Sequence, residues 1–219
     1  MLQEEPLVIP AGIVDLDSFR RWSLSPDFPQ TGKIDFIAGN IEVDMSPANV
    51  WKHSSLKTDL GIELGGLVRQ LGKLFIDQTR VVSPAAGLSR EPDIVFVSWE
   101  SLKSGRVVLR PGAAGPQEFM ELEGGPDLIV EVVSPSSVTK DTRRLPPIYF
   151  LAGVGEYWIA DARADEPTLT IMHRGKQKFE AAKSDAEGFQ HSKVLGSSFR
   201  LTSQPGPVPH SIVYTLHRR

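Results

Sequence analysis

The stretch "PDLIVEVVSPSS", residues 126–137, sets Glu131 between Val130 and Val132 in a run that otherwise reads as a buried strand. An ionised carboxylate among aliphatic neighbours is costly unless a cation, a hydrogen-bond network or an opening to solvent meets it. Upstream, "EPDIVFV" (91–97) is a second aliphatic run, headed by Asp93. If the two runs pair as strands around the segment between them, the carboxylates converge. Two carboxylates with a backbone carbonyl and water make a hard oxygen site suited to Mg²⁺ or Mn²⁺. Each acid also has a plainer reading. Asp93 follows Pro92 at a strand start, where aspartate serves turns, and Glu131 could face solvent from an edge strand. Asp127, behind Pro126, reads as a turn cap.

Outward from these runs the pattern alternates between helix and strand. "VDLDSFRRWSL" predicts a short helix starting near Asp15 or Asp17. "GKIDFIAGNIEVDMSP" predicts a hairpin turning at Gly39 and Asn40. Leu56, Leu60, Leu64, Leu67 and Leu71 recur at steps of three and four, the mark of one buried helical face, with Gly72 as its stop. "LFIDQTRVVS", "PDIVFVSWESL" and "PDLIVEVVS" predict three strands. The Gly- and Pro-flanked insertion between the last two predicts an elaborated hairpin. "KDTRRLPPIYFLAG" predicts a second helix whose continuous part starts as late as Leu145, because Pro146 and Pro147 fit only a first turn. "EYWIADAR" returns to strand, and more strands follow to the end. The order predicts an α/β (α+β) fold with a central mixed β-sheet flanked by helices. A single domain is expected, its core at about 33–163, with the N-terminal helix and C-terminal strands as additions.

Composition narrows the function classes. Of 219 residues, 40% are apolar and 23% charged, which suits a folded chain and argues against disorder. No apolar run approaches the roughly 18 residues of a membrane span, and "MLQEEPLVIP" carries acids where a secretory signal carries basic residues. The absence of cysteine excludes disulfides, a thiolate zinc site and a cysteine nucleophile, and suits a reducing cytoplasm. A net charge of −3 argues against strong nonspecific nucleic-acid binding, although Lys140, Arg143 and Arg144 form a local basic cluster.

"EPDIVFV", "PDLIVEVVSPSS", "KDT" and "IYFLAGVGEYWIADAR" together resemble the Uma-type family of restriction-endonuclease-like proteins, a branch of the PD-(D/E)XK nuclease superfamily. The resemblance runs from about "GNIEVDMSP" to "DAR". It implies a restriction-endonuclease-like core, a helix before a sheet whose middle strands carry the acids, and a second helix crossing to a parallel strand. It also implies hydrolysis of DNA phosphodiester bonds, with Asp93 and Glu131 as catalytic acids and ligands of a Mg²⁺ or Mn²⁺ ion and the Val132 carbonyl completing the inner sphere. The superfamily lysine two residues after the second acid falls on Val133, and the family's alternative on the following helix falls on Leu145. Lys140 is the nearest replacement, with Arg143 and Arg144 as further cations.

Other residues are secondary candidates. Glu42 and Asp44 share one face of the hairpin and could give an outer metal contact or stand in solvent. His53, at the start of the long helix, could touch a phosphate or a water, or simply pack. Tyr149, Tyr157 and Trp158 read as core. No "GxSxG" elbow and no phosphate-loop ending accompany the serines or glycines. Two readings stand: a metal-dependent endonuclease, working as a homodimer if it cuts both strands of a two-fold duplex, or a catalytically decayed scaffold that binds nucleic acid or a protein partner.

Overall fold

The computed structural model describes residues 7–112 and 115–219. Residues 1–6, which hold the acids of the opening stretch, and 113–114, inside "GAAG", lie outside the described residues. The elements run α1 (Leu16–Ser23), β1 (Lys33–Ile37), β2 (Asn40–Asp44), α2 (Leu56–Val68), β3 (Gly72–Ile76), β4 (Arg80–Ser83), β5 (Leu88–Arg90), β6 (Ile94–Ser98) and α3 (Trp99–Lys103). They continue as β7 (Val107–Pro111), β8 (Phe119–Gly124), β9 (Leu128–Val132), α4 (Leu145–Leu151), β10 (Glu156–Asp161), β11 (Thr168–Arg174), β12 (Phe179–Ala181), β13 (Gln190–Ser192), β14 (Ser197–Pro205) and β15 (Ile212–Arg218). The mixed α/β class expected from sequence is what the chain adopts, with its strands divided between two six-stranded sheets, ordered β2-β1-β5-β4-β8-β7 and β12-β11-β10-β9-β6-β3, and a three-stranded sheet β13-β14-β15.

Local chemistry explains most element boundaries. Asp15 caps α1, its carboxylate accepting the Ser18 N–H at 2.8 Å while the Ser18 hydroxyl accepts the Asp15 N–H. The β1–β2 hairpin turns through Ala38 and Gly39, both at positive φ (48° and 86°), one residue earlier than the sequence places it. That is the geometry a two-residue loop needs to match strand twist. Leu56, Leu60 and Leu64 are buried as the spacing predicts, but the helix ends at Val68, and Leu71, 52% exposed, lies beyond it. Gly72 opens β3, where a Cβ would stand 2.1 Å from the Val97 carbonyl, so only glycine lets β3 approach β6.

"LFIDQTRVVS" is two strands rather than one. Asp77 and Gln78 both adopt positive φ (53° and 45°), and this corner sends the chain from β3 in one sheet to β4 in the other. "SWESL" turns into α3, N-capped by the Ser98 hydroxyl, while Asp127 accepts the Ser98 N–H at 2.7 Å, the capping role its sequence position suggests. The insertion is the β7–β8 hairpin. After β9 a π-helical turn, Lys140–Arg144, leads into α4 with its prolines in the first turn, and the chain returns as β10, parallel to β9.

The sheet holding β6, β9 and β10 is covered on both faces. Ile94, Phe96, Val130 and Trp158 pack under α2 and against Phe199 and Leu216 of the C-terminal sheet. Val95, Val97, Ile129 and Tyr157 pack against α4 and the first sheet through Val81, Leu88 and Leu122. Burial from both sides is why these strands read as unbroken aliphatic runs and not as alternating ones.

Candidate active site

Strands β6 and β9 are antiparallel neighbours, with Ile94 opposite Val130. One further step in that register brings Asp93 opposite Glu131, so the two runs pair as their sequences require and their acids arrive at the same level of the sheet. Asp93 sits just ahead of β6 and is tied to β9, because its Oδ2 accepts the main-chain N–H of Val132 at 2.8 Å.

Asp93 is surrounded by nitrogen. Lys33 Nζ, from the first residue of β1, lies 2.8 Å from Oδ1. Lys57 Nζ lies 3.7 Å from Oδ1, and His53 Nε2 lies 3.7 Å from Oδ2. Both lysines also face Asp77, Lys57 at 2.7 Å and Lys33 at 3.7 Å. Burial opposes ionisation of Asp93, yet His53, Lys33 and Lys57 outweigh it and hold the carboxyl well below the usual range. Of the three side-chain nitrogens around Asp93 only Lys33 Nζ is at hydrogen-bond length from it.

Glu131 is held from the other side. Arg90, in β5, places Nη2 3.0 Å from its Oε1, and Tyr149, in α4, donates its hydroxyl to the same oxygen at 2.6 Å. Arg90 and Glu131 side chains are each 2% exposed. Burial pushes the Glu131 carboxyl up to about 8, with Arg90 opposing and Asp93 and Asp141 adding to the rise. Arg90 also approaches Asp35 at 3.8 Å. Tyr149→Phe is expected to lower the unfolding free energy by about 1–3 kcal/mol, the cost of leaving a buried acceptor one donor short. Urea denaturation measures it, and an unchanged midpoint would mean that Arg90 alone satisfies Glu131.

The donor chemistry fits a hard divalent cation. Among the described residues no three or more His, Asp and Glu side chains group as a metal site, so an ion here would rest on Asp93, Glu131, a main-chain oxygen and water. Charge points the same way. Five carboxyls, Asp35, Asp77, Asp93, Glu131 and Asp141, share this cluster with Lys33, Lys57, Arg90 and, acting on Asp141, Lys140. Burial raises Asp141 as well as Glu131, neighbouring negative charge adds to each rise, and Asp141 Oδ1 is buried without a hydrogen-bond partner. A cation bound here would relieve the crowding of negative charge that adds to both rises.

The remaining sequence candidates separate. His53 reaches Asp93. Lys140 makes no ion pair with Asp93 or Glu131 among the described residues; it lines a cavity of about 290 Å³ with Lys33, Asp35, Glu42, Asp44 and Arg144. Glu42 is paired with Arg144, and Asp44 accepts the Ser46 N–H at 2.9 Å. Arg143 is exposed. Val133 and Leu145, at the two lysine positions of the resemblance, are buried in the core. Sequence reasoning missed Lys33, Lys57, Arg90 and Tyr149 as site residues. Lys57 was within reach, since it follows His53 at the i+4 spacing that shares a helical face. Lys33 and Arg90 come from strands of the other sheet and carried no signal in their own neighbourhoods.

A mixed sheet whose facing middle strands carry an aspartate and a glutamate, with a helix crossing from the second acid's strand to a parallel neighbour, is the restriction-endonuclease-like arrangement. The chain belongs to the family described as "Uma2: Putative restriction endonuclease", whose model matches residues 16–204. Among solved structures it is similar to a "putative nuclease belonging to DUF820 from Anabaena variabilis", with a TM-score of 0.62, 18% identity, and coverage of 84% of this chain and 91% of that one. No curated protein matches the chain. Among the described residues no helix is long and apolar enough to cross a membrane.

Proposed function

We propose that the chain is a metal-dependent endonuclease that hydrolyses phosphodiester bonds in DNA. The observation that supports this reading is the antiparallel pairing of β6 and β9, continued one step to Asp93 and Glu131, together with the bond from the Val132 N–H to Asp93. A Mg²⁺ or Mn²⁺ ion held by Asp93, Glu131 and the Val132 carbonyl would supply Lewis-acid charge at the phosphate. The chain's own groups prepare the ligands. Val132 N–H fixes one oxygen of Asp93, and Arg90 with Tyr149 fixes one oxygen of Glu131, so neither carboxylate must be ordered when substrate arrives.

Supercoiled plasmid incubated with Mn²⁺ should be nicked by wild type and not by Asp93→Ala or Glu131→Gln. Equal nicking by all three would assign the activity to a contaminant. Linear product formed with second-order dependence on protein would support a homodimer acting on both strands.

The burial of Val133 and Leu145 favours a second reading, a decayed scaffold that binds nucleic acid or a protein partner without cutting. Calorimetric titration with Mn²⁺ separates the two. Binding that Glu131→Gln abolishes removes the case for decay at the metal site, whereas heat that is unchanged in the variant supports it.

A further inference from the structure

We infer that Lys33, from β1, is the cation that contacts the scissile phosphate, a catalytic role that the sequence reading gave to Lys140. The inference rests on the hydrolytic reading above and deepens it. A site built from two acids repels a phosphodiester unless a positive group meets the non-bridging oxygens, and that group must touch the acid pair yet remain open to substrate. Among the described residues the cations at Asp93 and Glu131 are Lys33, Lys57, His53 and Arg90. Arg90 is sealed at 2% side-chain exposure. Lys57 is 12% exposed and committed to both oxygens of Asp77. His53 is 13% exposed and carries charge only when protonated.

Lys33 differs from all of them. Its side chain is 33% exposed, its Nζ is 2.8 Å from Asp93 Oδ1, and it lines the 290 Å³ cavity that also holds Ser136, Thr139 and Lys140. Among the described residues Lys33 is therefore the one cation that both pairs with Asp93 and lines the cavity. Lys140 shares the cavity but not the acids.

In the reaction a water oxygen bonds to phosphorus and gives up a proton to solvent, one P–O ester bond breaks, and the leaving alkoxide takes a proton from solvent. Lys33 keeps its protons throughout and donates N–H bonds to the oxygens on which charge accumulates. Arginine in its place keeps the charge but offers a longer, planar fork instead of a compact ammonium.

The test compares wild type, Lys33→Ala, Lys33→Met, Lys33→Arg, Lys140→Ala and Asp93→Asn as full chains, with Mn²⁺, in plasmid nicking and in Mn²⁺ calorimetry. Lys33→Ala and Lys33→Met should each lose about 100-fold or more in kcat, Lys33→Arg should recover part of that, and Lys140→Ala, at a position that lines the cavity without touching the acids, should lose less in kcat than either Lys33 variant. Mn²⁺ affinity should be kept or tightened in Lys33→Met, because an ammonium competing for Asp93 is gone; a merely structural lysine would instead weaken it. Ethylammonium added to Lys33→Ala should restore nicking. If wild type cuts, Asp93→Asn does not, and the Lys33 variants cut like wild type, the Lys33 assignment is overturned while the nuclease reading stands. Should wild type nick no better than Asp93→Asn, the hydrolytic reading falls and this assignment falls with it.

Discussion

Glu131→Leu is expected to lower the unfolding free energy by about 3–5 kcal/mol, the range for removing one partner of a buried ion pair. The loss strands Arg90, which is 2% exposed, already has Nε and Nη1 without hydrogen-bond partners, and would be left with Asp35 at 3.8 Å. The pair is asymmetric in an informative way. A guanidinium cannot shed its proton in a protein, whereas burial already raises the Glu131 carboxyl to about 8, so it can take a proton when its partner is removed. Arg90→Met should therefore cost less than Glu131→Leu, and the double replacement should recover much of the larger loss. Glu131→Gln keeps an oxygen for Arg90 and Tyr149, so it should stay near wild-type stability. Urea unfolding of the four variants at pH 7 decides the matter. An Arg90→Met cost equal to or above that of Glu131→Leu would show that packing, and not the stranded charge, dominates.

Asp93→Asn should abolish nicking, a loss of at least about 10²–10³-fold, while the protein remains folded. Asparagine cannot replace the charge that faces Lys33, and whichever way its amide turns, its NH2 group faces one of two donors, Lys33 Nζ or the Val132 N–H, where an acceptor is needed. The same carboxylate carries a pH signature. Its folded pKa is held below the unfolded value near 3.8, chiefly because His53 and Lys33 outweigh the burial that opposes them. The stability it contributes is then complete above that value and lost as pH falls through the range below it. Wild type should exceed Asp93→Asn in urea midpoint at pH 7, and the gap should narrow at pH 3. A gap that is the same at both values would mean that Asp93 gains nothing from its cations.

Local signals carried much of the site's first half. Glu131 flanked by valines and Asp93 at the head of an aliphatic run were legible because a charge inside an apolar pattern breaks the rule the rest of the run obeys. The β9–α4–β10 crossover was legible as well, since prolines limit where a helix can start. The corner at Asp77 and Gln78 was not. Nothing in "LFIDQTRVVS" marks two non-glycine residues at positive φ, a backbone choice that only the packing of both sheets sustains.

By itself the sequence determined the α/β class and the two aliphatic runs that pair as β6 and β9, because periodicity and turn chemistry act over a few residues and the buried runs could pair in few ways. Only the tertiary structure decided which cations serve Asp93 and Glu131. Arg90 reaches Glu131 from 41 positions away in a different sheet, and Lys33 reaches Asp93 from 60 positions away. Such partners are chosen by how the sheets stack, and a charge does not record in its own neighbourhood the surface that will later cover it.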